Sequence, residues 1–456
     1  MSQDVAPSSE RRHETAVARL RASYAAIPPG APVRLAKRTS NLFRARDRAT
    51  AGLEVDDLDG VLSVDPVARR AEVQGMCTYQ HLVEATLPHG LMPLVVPQLR
   101  TITLGGAVTG LGIESTSFRH GLPHESVVEM DVLTGRGDLV TCRPGDELFD
   151  AFPNSYGSLG YATRLSIELA PIGQYVALRH VRFSEVQALA EAVDEVVATG
   201  AWEGVRVDGM DGVAFAPGEL VLTLATFDAP AGAVSDYTGQ RIYHRSVRTL
   251  DHDLLTAHDY LWRWDTDWFW CARALGLEHP VVRRLWPAHL RHSEVYQRVV
   301  SFERRRGLVD RVDRWRGRPQ RERVIQDVEV PLEALEDFLT WFDAEVGMRP
   351  VWLCPLRLRG ERTWPTYPLH PGQTYVNVGF WGTVPVGPGA EEAPLNRAIE
   401  RRVTELGGHK SLYSDAFYER EEFDRLYGGE SLARVKAAHD PDHRLSSLYD
   451  KAVQRR

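Results

Sequence analysis

Residues 101–117, TITLGGAVTGLGIESTS, hold the densest set of groups able to grip an anion. Gly105, Gly106, Gly110 and Gly112 let a backbone approach a ligand closely and present N–H donors. Thr103, Ser115 and Ser117 add hydroxyls without a cation, with Ile113 and Glu114 among them. The run could cradle a phosphate, or it could be a tight structural loop. It is not a G-x-G-x-x-G leading into a helix, which disfavours a Rossmann fingerprint. Two further polar loops accompany it. One is Lys37-Arg38-Thr39-Ser40-Asn41; the other spans 154–160 with Gly157, Leu159 and Gly160, and Thr163 follows.

Candidates for proton chemistry lie elsewhere. Asp327 interrupts the apolar neighbours of VIQDVEV, where the simplest reading is the exposed face of an edge strand. Glu114 would be repelled by a phosphate, so hydrogen bonding to backbone or ribose suits it, with an acid role open if its pKa is raised. His409, Lys410 and Tyr413 cluster in HKSLYSDAFY, where the bland readings are a solvated lysine and a buried aromatic. His120 and His124 are four apart with no third ligand, so no metal is expected. Asp251-His252-Asp253 has no G-x-S-x-G to supply a nucleophile. Both histidine groups read as surface polar residues.

The elements that must position these groups follow from periodicity. Val17, Leu20 and Tyr24 predict a surface helix over 9–26, stopped by Pro28-Pro29-Gly30. Strands are expected at 33–36, 60–65, 71–74, 127–133, 138–142 and 161–169, and Thr78 can cap a helix running to about Leu87. Beyond Pro171 come a strand, a helix over 186–199 and a strand over 220–226. Strands at 324–330, 350–358 and 374–380 then flank a helix at 332–346. The aromatic stretch YLWRWDTDWFW (260–270) reads as core, or as the rim of a lipid-sized tunnel resting at a bilayer interface.

Composition narrows the function. The 456 residues carry 54 Lys+Arg against 62 Asp+Glu, a formal charge of −8 without a basic block, which argues against a nucleic-acid partner. Only Lys37, Lys410, Lys436 and Lys451 are lysines, so no P-loop or Schiff-base lysine lies between 37 and 410. The scattered Cys77, Cys142, Cys271 and Cys354 fit a reducing compartment and no zinc ribbon. With neither an apolar run of spanning length nor a signal-like N-terminus, a cytoplasmic location is expected.

The three loops in this order resemble the FAD-binding domain of the vanillyl-alcohol-oxidase or p-cresol-methylhydroxylase (PCMH) type. TLGGAVTGLGIESTSFRHGLPHESVVEMDVLTGRGDLVTC, followed by LFDAFPNSYGSLGYATRLSIELAP, is similar to that family's main binding stretch almost end to end. Within the family, GIESTSFRHG, VIQDVEVPLEAL, PVWLCPLRL and SLYSDAFYEREEFDRLYGG look like the delta-24 sterol reductases and their plant relatives. An actinobacterial branch of that group reduces methylene-branched fatty acyl chains to 10-methyl acids, and the arginine-heavy composition suits it.

The resemblance implies an α+β fold. It consists of a two-subdomain FAD-binding domain with an N-terminal helix (1–172), an α+β substrate or cap domain (173–400), and a helical C-terminal segment (401–456) returning toward the flavin. FAD contacts are implied at Lys37, Arg38, Thr39, Ser40, Asn41, Thr103, Gly105, Gly106, Gly110, Gly112, Ile113, Ser115, Ser117, Gly157, Leu159, Gly160 and Thr163. The first loop lacks the histidine, and the position before Thr101 the cysteine, that tether flavin in other members, so FAD is expected to be non-covalent. The implied reaction delivers hydride from the flavin N5 to one alkene carbon while an acid protonates the other. Tyr413, Asp327, Glu114 and His409 are the candidates near that step, with Lys410 stabilising the reduced flavin. NADPH is the expected donor, a fatty acyl or phospholipid chain the substrate, and a methyltransferase and the inner membrane face the expected partners. An alcohol or polyol oxidase and a non-catalytic flavin- or lipid-binding partner are the alternatives.

Overall fold

Valine- and leucine-rich stretches separated by Gly, Pro and Asp turns build two sheets in which every strand pairing is antiparallel. The computed structural model describes residues 9–37, 52–237, 243–265, 279–287, 319–387 and 389–455, with single positions between 290 and 315. The first sheet runs β1 (Val61–Asp65), β2 (Arg70–Gln74), β6 (Tyr161–Pro171), β4 (Val127–Leu133), β5 (Leu139–Cys142), and β3 (Leu91–Pro93) pairs with β6. The second runs β12 (His252–Thr256), β7 (Tyr175–Phe183), β11 (Glu219–Phe227), β10 (Gly209–Ala216), β14 (Val351–Leu356), β15 (Tyr375–Pro385), β13 (Arg321–Pro331), β16 (His409–Lys410). A small hairpin, β8 (Ala201–Trp202) with β9 (Val205–Arg206), stands apart. The chain is thus a mixed α/β protein.

Strand alternation divides the second sheet into two differently occupied faces. Val324, Val328 and Val330 of β13, with Val376, Val378 and Phe380 of β15, pack beneath the helices Val186–Thr199, Leu335–Glu345 and Pro394–Glu405. Phe338 and Phe342 are fully buried there, each contributing about 1.5–3 kcal/mol of apolar burial. On the opposite face Trp352, Cys354, Tyr375 and Trp381 join one core with Leu104, Val108, Phe149 and Leu165. The second sheet is therefore a slab, with helices on one side and the first sheet's layer on the other.

Three expectations change. The strand at 33–36 is a single parallel bridge, Leu35 to Leu53. The glycine run is not all loop: Leu104–Gly110 is a helix, α3 by chain order after α1 (Ser9–Ala26) and α2 (Tyr79–Thr86). Burial of Leu104, Ala107 and Val108 overrides the weak helix propensity of its glycines. β13 is not an edge strand, because β16 pairs along it. The tail is also tied back to the first layer. Val33 N–H donates to the Arg444 carbonyl (2.8 Å), Arg136 N–H to that of His439 (3.0 Å), and Lys436 Nζ to that of Ser158 (3.2 Å).

Candidate active site

α3 stands on the first sheet through backbone contacts too close for side chains. A Cβ on Gly105 would lie 2.7 Å from the Gly75 carbonyl oxygen, and one on Gly75 would lie 1.8 Å from that of Ala162. Gly105 N–H donates to Gly75 (2.9 Å), Gly75 N–H to Thr163 (3.0 Å), and the Thr103 hydroxyl accepts from Gly106 N–H (3.2 Å). The first amides of the run are thus consumed internally, and its glycines answer to packing. Among the described residues no hydrogen bond takes the N–H of Gly112 or Ile113, which are half-buried just past the helix.

The loop at 154–160 closes against the far end of α3. Tyr156 donates its N–H to the Thr109 carbonyl (2.9 Å) and its hydroxyl to that of Gly110 (2.7 Å). Asn154 (φ 55°) and Tyr156 (φ 50°) hold left-handed backbone, a strain that clusters at functional sites. Lys451 Nζ donates to the Tyr156 carbonyl (3.0 Å), and Lys37 Nζ reaches the Thr103 hydroxyl (3.4 Å). Lys37, Thr103, Gly106, Gly110, Gly112, Ile113 and Tyr156 all keep some solvent exposure. Leu159, Thr163, Ser115 and Ser117 lie buried behind them, and Gly157 and Gly160 turn the loop at φ 72° and 148°. Arg38, Thr39, Ser40 and Asn41 lie outside the described residues.

Across the seam, β13 and β15 present polar side chains from the face opposite the helices. Asp327 projects over Gly379 of β15, where a Cβ would meet its Oδ1 at 2.5 Å. Trp381 Nε1 donates to the Tyr413 hydroxyl at 2.6 Å, and Tyr413 in turn hydrogen-bonds Asp327. Burial pushes the Asp327 carboxyl up to about 7, while Asn377 and Tyr413 pull it the other way. Asp327, Trp381 and Tyr413 remain partly exposed, whereas Glu329, Asn377, His409 and Ser411 beneath them are buried. The Asp327 Oδ1 and both amide atoms of Asn377 have no well-formed hydrogen bond. Tyr156 stands near enough to Tyr413 and Tyr367 to add to the burial that raises both phenols. The structure thus gathers Asp327, Tyr413 and the 154–160 loop at one partly open seam.

The other acid and base candidates fall elsewhere. Glu329, two residues along the same face, bonds Ser411 Oγ (3.0 Å), and burial holds it well above the carboxylate range. His409 lies between Tyr367 and Tyr427, ring centroids 4.9 and 4.7 Å away, and burial pushes it down to about 3, so it is neutral. Glu114 turns away from the glycine run. It accepts from Ser115 N–H (2.6 Å) and from Arg263 (3.0 Å), which also holds Asp211 (3.1 Å) at the joint between the sheets. His124 is buried against Trp364 at 4.4 Å rather than on the surface, and Asp253 accepts from Ser235 (2.7 Å) and Tyr237. Tyr260, Trp262, Arg263 and Trp264 are core, not a tunnel rim; Trp268 and Trp270 lie outside the described residues.

Lys410 points to the helical side, because it pairs with Val328 in the β13–β16 register. Its Nζ meets Glu400 Oε1 at 2.5 Å and the Asp415 carbonyl at 2.7 Å, with both charged groups buried. Glu400 also takes the Phe417 N–H at 3.2 Å, so the pair fixes the turn that carries Tyr413. Lys410→Met is expected to cost about 3–5 kcal/mol, as a buried charge loses its partner, while bound flavin absorbance is retained. Thermal melting beside a visible spectrum checks this; a normal melt with an altered flavin would place Lys410 at the cofactor instead.

Comparison with known proteins gives the class first. Residues 5–143 match the FAD binding domain family. Delta(24)-sterol reductase of Homo sapiens is 25% identical over 422 residues, covering 88% of this chain and 75% of that protein. The enzyme of Arabidopsis thaliana is 23% identical over 445 residues, covering 89% and 77%. Cytokinin dehydrogenase 2 of Oryza sativa subsp. japonica is 35% identical over 136 residues, 29% of this chain and 24% of that protein. Residues 5–143 thus carry the signature of a PCMH-type FAD-binding domain, and over most of its length the chain is similar to delta-24 sterol reductases. No helix among the described residues is long and apolar enough to cross a membrane.

Proposed function

We propose that the protein is an FAD-dependent reductase of a carbon–carbon double bond on a lipid. Its substrate would be a 10-methylene fatty acyl chain, reduced to 10-methyl with NADPH as donor. The observation that carries the reading is the Asp327–Tyr413–Trp381 constellation, an acid of pKa about 7 at a partly open seam beside the FAD-binding layer. Reduced FAD, when bound, supplies the hydride equivalent.

The residues present fit that cofactor. The N–H groups of Gly112 and Ile113, the hydroxyl of Thr103, and the Thr101 and Ser158 hydroxyls, which have no hydrogen-bond partner among the described residues, offer it donors without a tether. Lys37, its Nζ 3.4 Å from the Thr103 hydroxyl, would add a cation beside it. Asn377 and Asp327, joined only by a loose contact, suit the edge of a polar heterocycle.

An unpolarised alkene accepts negative charge poorly, so proton transfer must lead or accompany reduction. Asp327 holds a proton in a large fraction of molecules at neutral pH, and Tyr413 orients it. Its partial exposure lets solvent restore the proton after each turnover. Burial disfavours ionisation of Glu329 below it, which limits a second negative charge beside Asp327. In this reading residues 1–172 bind the cofactor, 173–400 form the substrate half and 401–456 complete the site. The protein works in the cytoplasm at the inner membrane face, beside a methyltransferase that supplies the methylene lipid.

The local match to a cytokinin dehydrogenase favours a second reading, a flavin enzyme that oxidises its substrate, for which an alcohol or polyol is the substrate we would test. Anaerobic titration with NADPH, followed by the visible spectrum, separates the two. Bleaching of the oxidised flavin bands, and then reduction of a methylene-lipid, is expected. A flavin that NADPH leaves oxidised but an alcohol bleaches would overturn the reductase.

A further inference from the structure

Arg119, Arg357 and Arg359 line one cleft, away from the seam. It opens between the C-terminal end of the helix Val186–Thr199, the short helical turn Ser117–His120 and the loop that follows β14. Its volume is about 320 Å³. That falls at the lower end of ligand-sized clefts, about 300–1,000 Å³. Phe118 and Val196 of its lining belong to the core on the helix-bearing face of the second sheet. Asp327 projects from the opposite face, so the cleft is separate from the candidate active site.

The surrounding contacts aim the guanidinium groups at this space. Arg119 donates to Asp208 (2.8 Å) and to the Val207 carbonyl (2.6 Å), and its Nη2 lies 3.5 Å from where a Cβ on Gly200 would stand. Asp208 is buried and also accepts from Arg206 (2.8 Å) and from Phe227 N–H (2.9 Å), so its charge is already matched. Arg359 pairs with Glu168 and donates to the Glu125 carbonyl (3.3 Å). Arg357 differs from both. It is half-buried, its Nη2 is 3.8 Å from where a Cβ on Gly372 would stand, and its backbone N–H donates to the Ser117 carbonyl (3.3 Å). Among the described residues no acceptor takes its side-chain N–H groups. Glu361 is the one acid among the described lining residues, against three arginines. Burial, reinforced by Arg119 and Arg359, pushes His120 down to about 4, so that ring is neutral and the positive charge rests on the arginines.

We infer that this cleft binds a phosphate group carried by a small organic molecule. Planar guanidinium forks match phosphate oxygens in pairs, and a half-buried fork without a carboxylate is the one that such an anion satisfies. A phosphomonoester offers three terminal oxygens to three arginines, where a carboxylate offers two. Phe118, Val197 and Leu358 give its organic part an apolar wall. Two sources share this chemistry, a phosphorylated dinucleotide and the glycerol phosphate of a lipid headgroup. The inference stands apart from the reductase reading, since it requires no turnover.

The FAD-loaded full chain is titrated calorimetrically, at constant ionic strength, with inorganic phosphate, glycerol phosphate, NADP+ and NAD+. None of these reduces the flavin, so the outcome is independent of the proposed reaction. The organic phosphates should bind more tightly than inorganic phosphate. Arg357→Gln should weaken all three about tenfold or more, the loss of a charged hydrogen-bond donor. Its ligand-free melting temperature and flavin spectrum should not change, because the side chain leaves no partner stranded. Glu361→Gln should tighten binding. A preference for NADP+ over NAD+ that Arg357→Gln abolishes would make the dinucleotide the source, and tighter binding of glycerol phosphate than of NADP+ the headgroup. Absence of binding, binding that Arg357→Gln leaves unchanged, or no gain of either organic phosphate over inorganic phosphate would overturn the inference.

Discussion

Asp327→Asn should lower turnover by about two to four orders of magnitude, the range lost with a positioned acid. Asparagine preserves shape above Gly379 and the contact with Tyr413, so the loss would come from the missing proton rather than from collapse. In the wild type, activity should fall as pH rises through about 7, the value to which burial pushes this carboxyl. The variant's residual activity should lose that inflection. A pH–rate profile of both proteins, taken after the flavin is fully reduced, reads the prediction; an inflection that survives in the variant would assign the acid elsewhere.

The same group makes a separable statement about stability. Its folded pKa lies above the ordinary carboxylate value of 3.8, so the folded state binds more protons than the unfolded state between those two values. Stability from this group is therefore highest at low pH, declines as pH rises from about 4 to about 7, and is flat beyond. Asp327→Asn should remove that decline and melt higher than wild type above neutrality. A variant that gains stability while losing turnover has lost a group held in strain for chemistry.

What the sequence made legible depended on range. The valines at 324, 328 and 330 alternate with polar residues, so β13 and the facing of Asp327 follow from period two alone. That Asp327 is half-buried does not follow, because its neighbour β16 is two residues long and lies some eighty positions on. The meeting of Asp327 with Tyr413 was not readable from spacing either; both were named singly. Glu329, Asn377, Trp381 and Tyr156 gave weaker signals. Tyr156 could have been found as a bulky residue in a glycine-flanked turn, and Asn377 as a lone amide among valines. Lys410 misled for a physical reason. In a chain of fifty arginines among its 54 basic residues, two of the four lysines serve where several acceptors converge on one nitrogen: those of Glu400 and Asp415 on Lys410, and those of Asp440, Ser158 and Leu445 on Lys436.

Arg263 was hidden within an aromatic run, yet its loss should damage stability as much as that of Lys410. Its guanidinium is almost wholly buried and touches carboxylates 149 and 52 positions away, Glu114 from the glycine run and Asp211 of β10. Trp264 and Trp352 also donate to Asp211, at 3.0 and 3.3 Å, and Tyr260 stacks on Arg263 at 4.4 Å. Arg263→Met keeps most of the volume but strands two buried carboxylates, so a loss of about 3–5 kcal/mol is expected. Glu114→Gln should cost far less, about 1 kcal/mol, because the amide oxygen can still accept from Ser115 N–H and Arg263 while Asp211 keeps its partner. Burial already raises the Glu114 pKa despite Arg263, so neutralising it removes a charge the joint holds poorly. Adding Glu114→Gln and Asp211→Asn to Arg263→Met should then recover part of the lost melting temperature. Recovery would mark charge as the source of the loss. A triple variant no better than Arg263→Met would instead mean that this side chain holds the two sheets together by its shape and its contacts with Tyr260.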